Sequence, residues 1–351
     1  MRIAIDAMGG DEAPREIVKG VLASSRELPG VRHILVGDPA RIDAEIGGPR
    51  PANVDVFPST QVIGMNEHPV EALRAKKDSS ILNCARLVDR GEADALFGAG
   101  NTGAVVAASF YKLGLLEGVK RPGIAVPLPN EKGHTLVCDA GANIACKPVH
   151  LVQYAVMAAL YSRYVFKSGD NPRIGVLNIG EEDGKGNDLA KETLAALRKS
   201  GLNVLGNVEG QDIYNGRCDV AVCDGFVGNI VLKASEGLGE FALKMLRQTA
   251  DASDPEEARK LSGGIARAQA KLDWSSVGGA PLLGVKGAVI IGHGRSRANA
   301  VTNAVRVARD YVENRVGDKI VAELQRLGGG GWLGGWFGGK PGAGAPAGAK
   351  E

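Results

Sequence analysis

"ADALFGAGNTGAVVAASFYKLG" occupies residues 93–114. A short apolar run, ADALF, is followed by a glycine-rich loop and then by a run with helical patterning. Gly98, Gly100 and Gly103 spell G-x-G-x-x-G, the loop pattern that lets a backbone approach a pyrophosphate at a helix start. The same unit recurs five more times. "RIAID" (2–6) leads through "AMGGDEAP" to "REIVKGVLASS", and "HTLVCD" (134–139) through "AGANIACK" to "PVHLVQYAVMAALYSRYV". "RIGVLNIG" (173–180) leads through "EEDGKGN" to "DLAKETLAALRKSG", and "DVAVCD" (219–224) through "GFVGN" to "IVLKASEGLGEFALKML". "AVIIG" (288–292) leads through "HGRSR" to "ANAVTNAVRVARDYVENRV". Pro148 suits the first helical position, where a missing N–H costs nothing, and Asn187 suits an N-cap. Strands alternating with helices predict an α/β fold with a mostly parallel sheet. Loops that follow strands emerge at the carboxyl edge of such a sheet, where ligands bind. On that rule the six loops line one crevice.

The chain has 351 residues, 44% apolar and 23% charged, with a net charge of +2. That balance gives no electrostatic footprint for nucleic acid. Fifty glycines are about twice the usual share of roughly 7%. The five cysteines are irregularly spaced and form no C-x-x-C pair, and Met1-Arg2-Ile3 opens no signal peptide, so a cytoplasmic, reducing compartment is expected. No stretch of 18 apolar residues is present. Residues 250–276 break the β-α rhythm and read as helices joined at Gly263-Gly264 that project from the body. The catalytic domain is expected over 1–327. Residues 328–351 form a Gly-rich, low-complexity tail containing Trp332, Trp336 and Phe337, read as mobile and solvated.

A dinucleotide site needs an Asp or Glu about 20 residues beyond the glycine loop to hold the ribose. Here the next apolar run, "GIAVPLPN" (123–130), ends in Asn130 and offers no acid. What remains is a helix start whose free N–H groups and dipole favour an anion, with Asn101 and Thr102 at its mouth. The other loops carry Asp139, Asn143 and Lys147; Lys185 and Asn187; Asp224 and Asn229; and His293, Arg295 and Ser296. "RAKKDSS" (74–80) adds Lys76 and Lys77. Ordinary roles are available to each: Asn187 and Asn229 as caps, the two aspartates as loop ties, the lysines as a solvated face. Walker spacing, H-E-x-x-H, G-x-S-x-G and dense metal-ligating clusters are absent from the sequence. Amides, glycines, lysines and one histidine suit charge stabilisation and positioning better than a protein nucleophile.

"IAIDAMGGDEAP", "RAKKDSS", "GAGNTGA", "DAGANIACKPVHLVQYA", "LNIGEEDGKGND", "VEGQDI", "CDVAVCDGFVGNIVLK" and "GGAPLLGVKGAVIIGHGRS" together resemble the bacterial phosphate acyltransferases of phospholipid synthesis, over roughly residues 1–320. Arg295 stands where a small residue is expected. The resemblance implies a three-layer fold like that of the isocitrate and isopropylmalate dehydrogenases, without their cofactor. It implies a cytosolic homodimer that rests peripherally on membranes. It also implies the reaction of acyl-ACP with inorganic phosphate to give acyl phosphate, which then serves a glycerol-3-phosphate acyltransferase. A fainter resemblance runs to phosphate acetyltransferases, whose reactive Ser-Arg loop corresponds to "GHGRSR". No metal is implied. Phosphate is its own nucleophile and a thioester is already activated, so direct attack fits. On that mechanism Asn101, Thr102 and Gly103 bind phosphate, helped by Lys147 or Lys185 with Asn187. Asn143 and Asn229 orient phosphate or the thioester carbonyl, and His293 assists the leaving thiolate. Two readings of other classes stand beside it. One is a phosphate- or nucleotide-binding regulatory protein without turnover. The other is an NAD-dependent decarboxylating dehydrogenase, against which the missing acid counts.

Overall fold

Ile3 and Ile5 face one side of the first strand and Ala4 the other, and all three are fully buried. A strand covered on both faces belongs inside a sheet flanked by two helical layers. The computed structural model describes residues 1–251, 254–272 and 277–328; the tail, with Trp332, Trp336 and Phe337, lies outside the described residues.

The chain begins with β1 (Arg2–Asp6), α1 (Arg15–Glu27), β2 (Arg32–Gly37), α2 (Pro39–Ile46), β3 (Val54–Pro58), α3 (Pro69–Ala75), α4 (Ser80–Asp89), β4 (Ala95–Gly98) and α5 (Thr102–Leu113). A second half runs β5 (Gly123–Asn130), β6 (Gly133–Cys138), α6 (Pro148–Tyr161), β7 (Ile174–Leu177), α7 (Asp188–Leu197), β8 (Val204–Val208), α8 (Gly210–Asn215), β9 (Val220–Val222), α9 (Gly225–Asp251) and α10 (Pro255–Leu272). The chain then returns to the first half through β10 (Ala280–Leu283), β11 (Ala288–Ile291) and α11 (Ala298–Glu313), and α12 (Val316–Gly328) packs back on α6. The strands form one sheet in the order β3-β2-β1-β4-β11-β10-β5-β6-β9-β7-β8. Val18, Leu151, Leu194 and Val301 fill one face; Leu82, Val105, Ile213 and Leu232 fill the other. The α/β, three-layer, mostly parallel expectation holds, with seven parallel pairings against three antiparallel.

Those three reversals correct the idea of a single crevice. β10 runs against both β11 and β5, and β6 runs against β5. The block β3-β2-β1-β4-β11 therefore points one way and β6-β9-β7-β8 the other. Loops after β1, β4 and β11 leave at one edge, called upper here; loops after β6, β7 and β9 leave at the opposite, lower edge.

α9 connects the two edges. Its 27 residues span about 40 Å. It starts at the lower edge at Gly225, five residues before the apolar run that the sequence suggested. Asp224 caps it, its Oδ1 accepting from the N–H groups of Phe226 and Val227 at 3.0 Å each. "GFVGN" is thus the first turn of a helix and Asn229 caps nothing. α10 folds back along α9, the two helices burying Ala250 and Ile265. Gly263 and Gly264 lie inside α10 and do not join two helices as expected.

Glycine lets α9 approach the loop after β6. A Cβ at Gly228 would lie 1.9 Å from the Asp139 carbonyl oxygen, and one at Gly225 would lie 2.6 Å from that of Asn143. Gly228→Ala should lower the unfolding free energy by about 3 kcal/mol. Gly264→Ala, where a Cβ meets nothing within 4 Å, should raise it by up to about 1 kcal/mol. Urea denaturation of the two variants checks this; equal effects would overturn it.

Candidate active site

On the upper edge, a carboxylate organises the first loop. Asp6 ends β1 and is buried; its Oδ1 accepts the Met8 N–H at 3.1 Å. Burial pushes its carboxyl above the usual range, opposed by hydrogen bonds from Ser80 and the Met8 and Gly9 amides. A Cβ at Gly9 would lie 2.6 Å from Asp6 Oδ2 and 2.8 Å from the Gly100 nitrogen, so glycine is what lets the two loops touch. The third loop joins them: Gly292 N–H donates to the Gly98 carbonyl and Asp11 N–H to the Gly294 carbonyl, both at 2.8 Å.

Asn101 is the N-cap of α5. Its Oδ1 accepts the Ala104 N–H at 3.0 Å, while its Nδ2 donates to the carbonyls of Met65 (3.0 Å) and Glu67 (2.9 Å). The side chain is thus spent on pinning the 64–67 segment. Lys76 pins the same segment, donating to the Val62 carbonyl and pairing with Glu67. What α5 presents is its open first turn: the Thr102 and Gly103 amides have no acceptor within the helix, and the Thr102 side chain is exposed. Gly103 has a packing reason as well, since a Cβ there would lie 2.5 Å from the Pro69 ring.

His293 is half-buried in a tight turn, its N–H donating to Ser296 Oγ at 3.0 Å. The Arg295 N–H donates to His293 Nδ1 at 3.2 Å, which places the proton of the neutral ring on Nε2. Burial lowers the imidazole pKa; Glu236 and Asp11 raise it and Lys233 and Arg295 lower it. Arg295, whose place was open, forms an ion pair with Glu240 of α9 at 2.8 Å. This turn, α9, α10 and the end of β5 enclose a cleft of about 520 Å³.

The lower edge has its own carboxylate. Asp139 is fully buried, its Oδ1 accepting the N–H groups of Ile124, Gly141 and Ala142 and its Oδ2 those of the Asn143 backbone and side chain. Burial pushes its carboxyl up, and those donors oppose the shift. Asn143 Nδ2 also donates to the Pro122 carbonyl at 2.6 Å and to Tyr154 Oη at 2.9 Å. Asn229 lies against Gly141. Lys147 and Lys185 are exposed, and Asn187 caps α7 as expected, accepting the Ala190 N–H at 2.9 Å.

The structure therefore brings His293, Asn101, Thr102 and Gly103 together on one edge. It sets Asn143, Asn229, Lys147, Lys185 and Asn187 on the other. Asp6, Glu236 and Tyr154 escaped the sequence reading. Asp6 had a usable signal, an acid closing an otherwise apolar strand; Tyr154 had none, being one more large residue in an apolar helix.

The family described as "Fatty acid synthesis protein" matches residues 1–319. A phosphate acyltransferase from Pelotomaculum thermopropionicum is 47% identical over 339 residues, covering 95% of this chain and 98% of the relative. The chain belongs to the phosphate acyltransferase family. A phosphotransacetylase from Streptococcus pyogenes shares the fold at a TM-score of 0.59 and 16% identity, covering 89% of this chain and 94% of its own. A 4-hydroxythreonine-4-phosphate dehydrogenase from Klebsiella pneumoniae does so at 0.52 and 15%, covering 89% and 97%. The dehydrogenase-like fold is thereby shown.

In this phosphate acyltransferase family member, the neutral His293 ring is set by burial. Its NMR titration midpoint should fall below about 6.5. The folded state then holds fewer protons than the unfolded chain as pH drops through that region. Stability should fall from about pH 6.5 downward, and His293→Gln should flatten part of that slope. A midpoint above 6.5 would put a neighbouring negative charge in control instead.

Proposed function

We propose that the protein transfers a fatty acyl group from acyl carrier protein to inorganic phosphate, giving acyl phosphate for phospholipid synthesis. The observation that carries this reading is the open start of α5 on the same sheet edge as a neutral imidazole, in a chain whose relatives are named phosphate acyltransferases.

Phosphate is held by the Thr102 and Gly103 amides and the Thr102 hydroxyl. One phosphate oxygen attacks the thioester carbonyl carbon. The C–S bond then breaks, sulfur leaves as thiolate, and an acyl C–O–P linkage remains. His293 Nε2–H hydrogen-bonds the departing sulfur. Asn143, Asn229, Lys147, Lys185 and Asn187, proposed from the sequence for this step, lie on the opposite edge and are given no part in it. Holding both reactants in line supplies up to about 7–11 kcal/mol, so amides, a hydroxyl and an imidazole suffice. A cysteine acyl carrier is unnecessary. Burial raises the thiol pKa of Cys138 and, less strongly, of Cys146, which makes both poor nucleophiles.

Purified protein given palmitoyl-ACP and labelled phosphate should form a hydroxylamine-sensitive acyl phosphate; phosphate binding without product would mean a regulatory binder. Thr102 caps nothing, so Thr102→Ala should fold normally. It should raise the KM for phosphate about 10- to 150-fold, the loss of one donor to a charged group, with the KM for acyl-ACP nearly unchanged. An unaltered phosphate dependence would return this helix start to a structural role.

The proposal includes a homodimer, which acts peripherally at membranes beside a downstream glycerol-3-phosphate acyltransferase. Among the described residues no helix is long and apolar enough to cross a membrane. On α9, Phe226, Ile230, Ala234, Gly237, Phe241 and Met245 form one exposed stripe at helical spacing. Its order, large-large-small-small-large-large, reads alike from both ends, as antiparallel pairing with a second copy requires. Phe241→Asp should shift sedimentation from dimer to monomer; a dimer that persists removes this helix from the interface.

A further inference from the structure

The cleft beside His293 has a wall that the fold does not explain. Gly239 sits inside α9, where glycine weakens a helix relative to alanine. Nothing demands it: a Cβ there would meet no atom within 4 Å. Yet Gly239 lines the cleft. Along this face of α9 the character of the wall changes. Ser235, Glu236 and Glu240, the last paired with Arg295, lie towards His293, whereas Leu243 lies further along, joined by Leu272 of α10. From Glu236 to Leu243 the helix advances about 10 Å. Leu128 and Pro129 from the end of β5 complete the apolar lining. This face is opposite the exposed stripe of α9.

We propose that this cleft is an acyl-chain groove. The thioester carbonyl lies by His293, the chain passes over Gly239, and Leu243 and Leu272 receive its distal carbons. The missing side chain at 239 makes room for the chain. The inference rests on the acyl-transfer reading and adds where the chain goes and which residues select its length.

The test compares butyryl- and palmitoyl-ACP as donors for the wild type, Gly239→Ala and Gly239→Phe. A short chain ends before Gly239 and a long one crosses it. Each methylene kept out of apolar surroundings costs about fourfold in kcat/KM. Gly239→Phe should therefore lower kcat/KM for the palmitoyl donor at least tenfold and for the butyryl donor less than twofold. Gly239→Ala should fold with a higher Tm and a smaller loss. Should Gly239→Phe not fold, Leu243→Trp narrows the same groove and carries the same expectation. If the wild type accepts palmitoyl alone, the KM for that donor should rise tenfold with the KM for phosphate within twofold. Equal losses for both donors, or an unmoved palmitoyl KM, overturn the groove. A wild type that acylates phosphate with neither donor overturns the acyl-transfer reading instead.

Discussion

Four residues join the two half-sheets of this protein. Ala280 and Pro281 pair with Ile291 and Ile290 of β11, and Leu282 and Leu283 pair with Ile124 and Gly123 of β5. One short, buried strand running against both neighbours is the whole splice between two parallel half-sheets. Because it runs against both neighbours, β11 and β5 point the same way; the β5–β6 hairpin then turns the second half over, so the halves expose their edges in opposite directions. Every placement of a functional side chain follows from that.

Each half builds its edge by the same physical device. A strand ends in a buried aspartate, Asp6 or Asp139, whose oxygens accept the N–H groups of the following loop. Burial pushes each carboxyl up, and the donors pull it back. These acids are spent on loop shape. What the shaped loops present on the upper edge is an open helix start and an imidazole with its tautomer set by the Arg295 amide. Groups of this kind suit the proposed reaction between an anion and an activated ester, for which no protein nucleophile is needed.

α9 runs from one edge to the other. Its start is clamped on the Asp139 loop by glycines that leave no room for a side chain, and its middle walls the cleft at His293. The same helix presents an apolar stripe on its outer face. A single 27-residue element thus serves as spacer and cleft wall and carries an exposed apolar stripe, and its faces separate these by angle.

The repeating strand–loop–helix units, Pro148 at the first position of α6, Asn187 and Asn101 as caps, and the tight glycine turns were all legible in the sequence. Each is decided within a few residues, by side-chain periodicity and by which atoms can satisfy a helix's first N–H groups. The likeness to the phosphate acyltransferases was legible too, through long ordered motifs. Strand direction was not. Nothing local marks whether β6 runs with β1 or against it; that is settled by β10 running against both β11 and β5, which lie far from each other in the sequence. Nor could the sequence say that Asn101 is consumed by three carbonyls, that Gly103 makes room for Pro69, or that Asn229 lies one turn inside a helix. The sequence alone determined the fold class, the family and the kinds of group available for chemistry. Only the tertiary structure decided which of those groups share an edge, because hydrogen bonds and close contacts between distant segments set that choice.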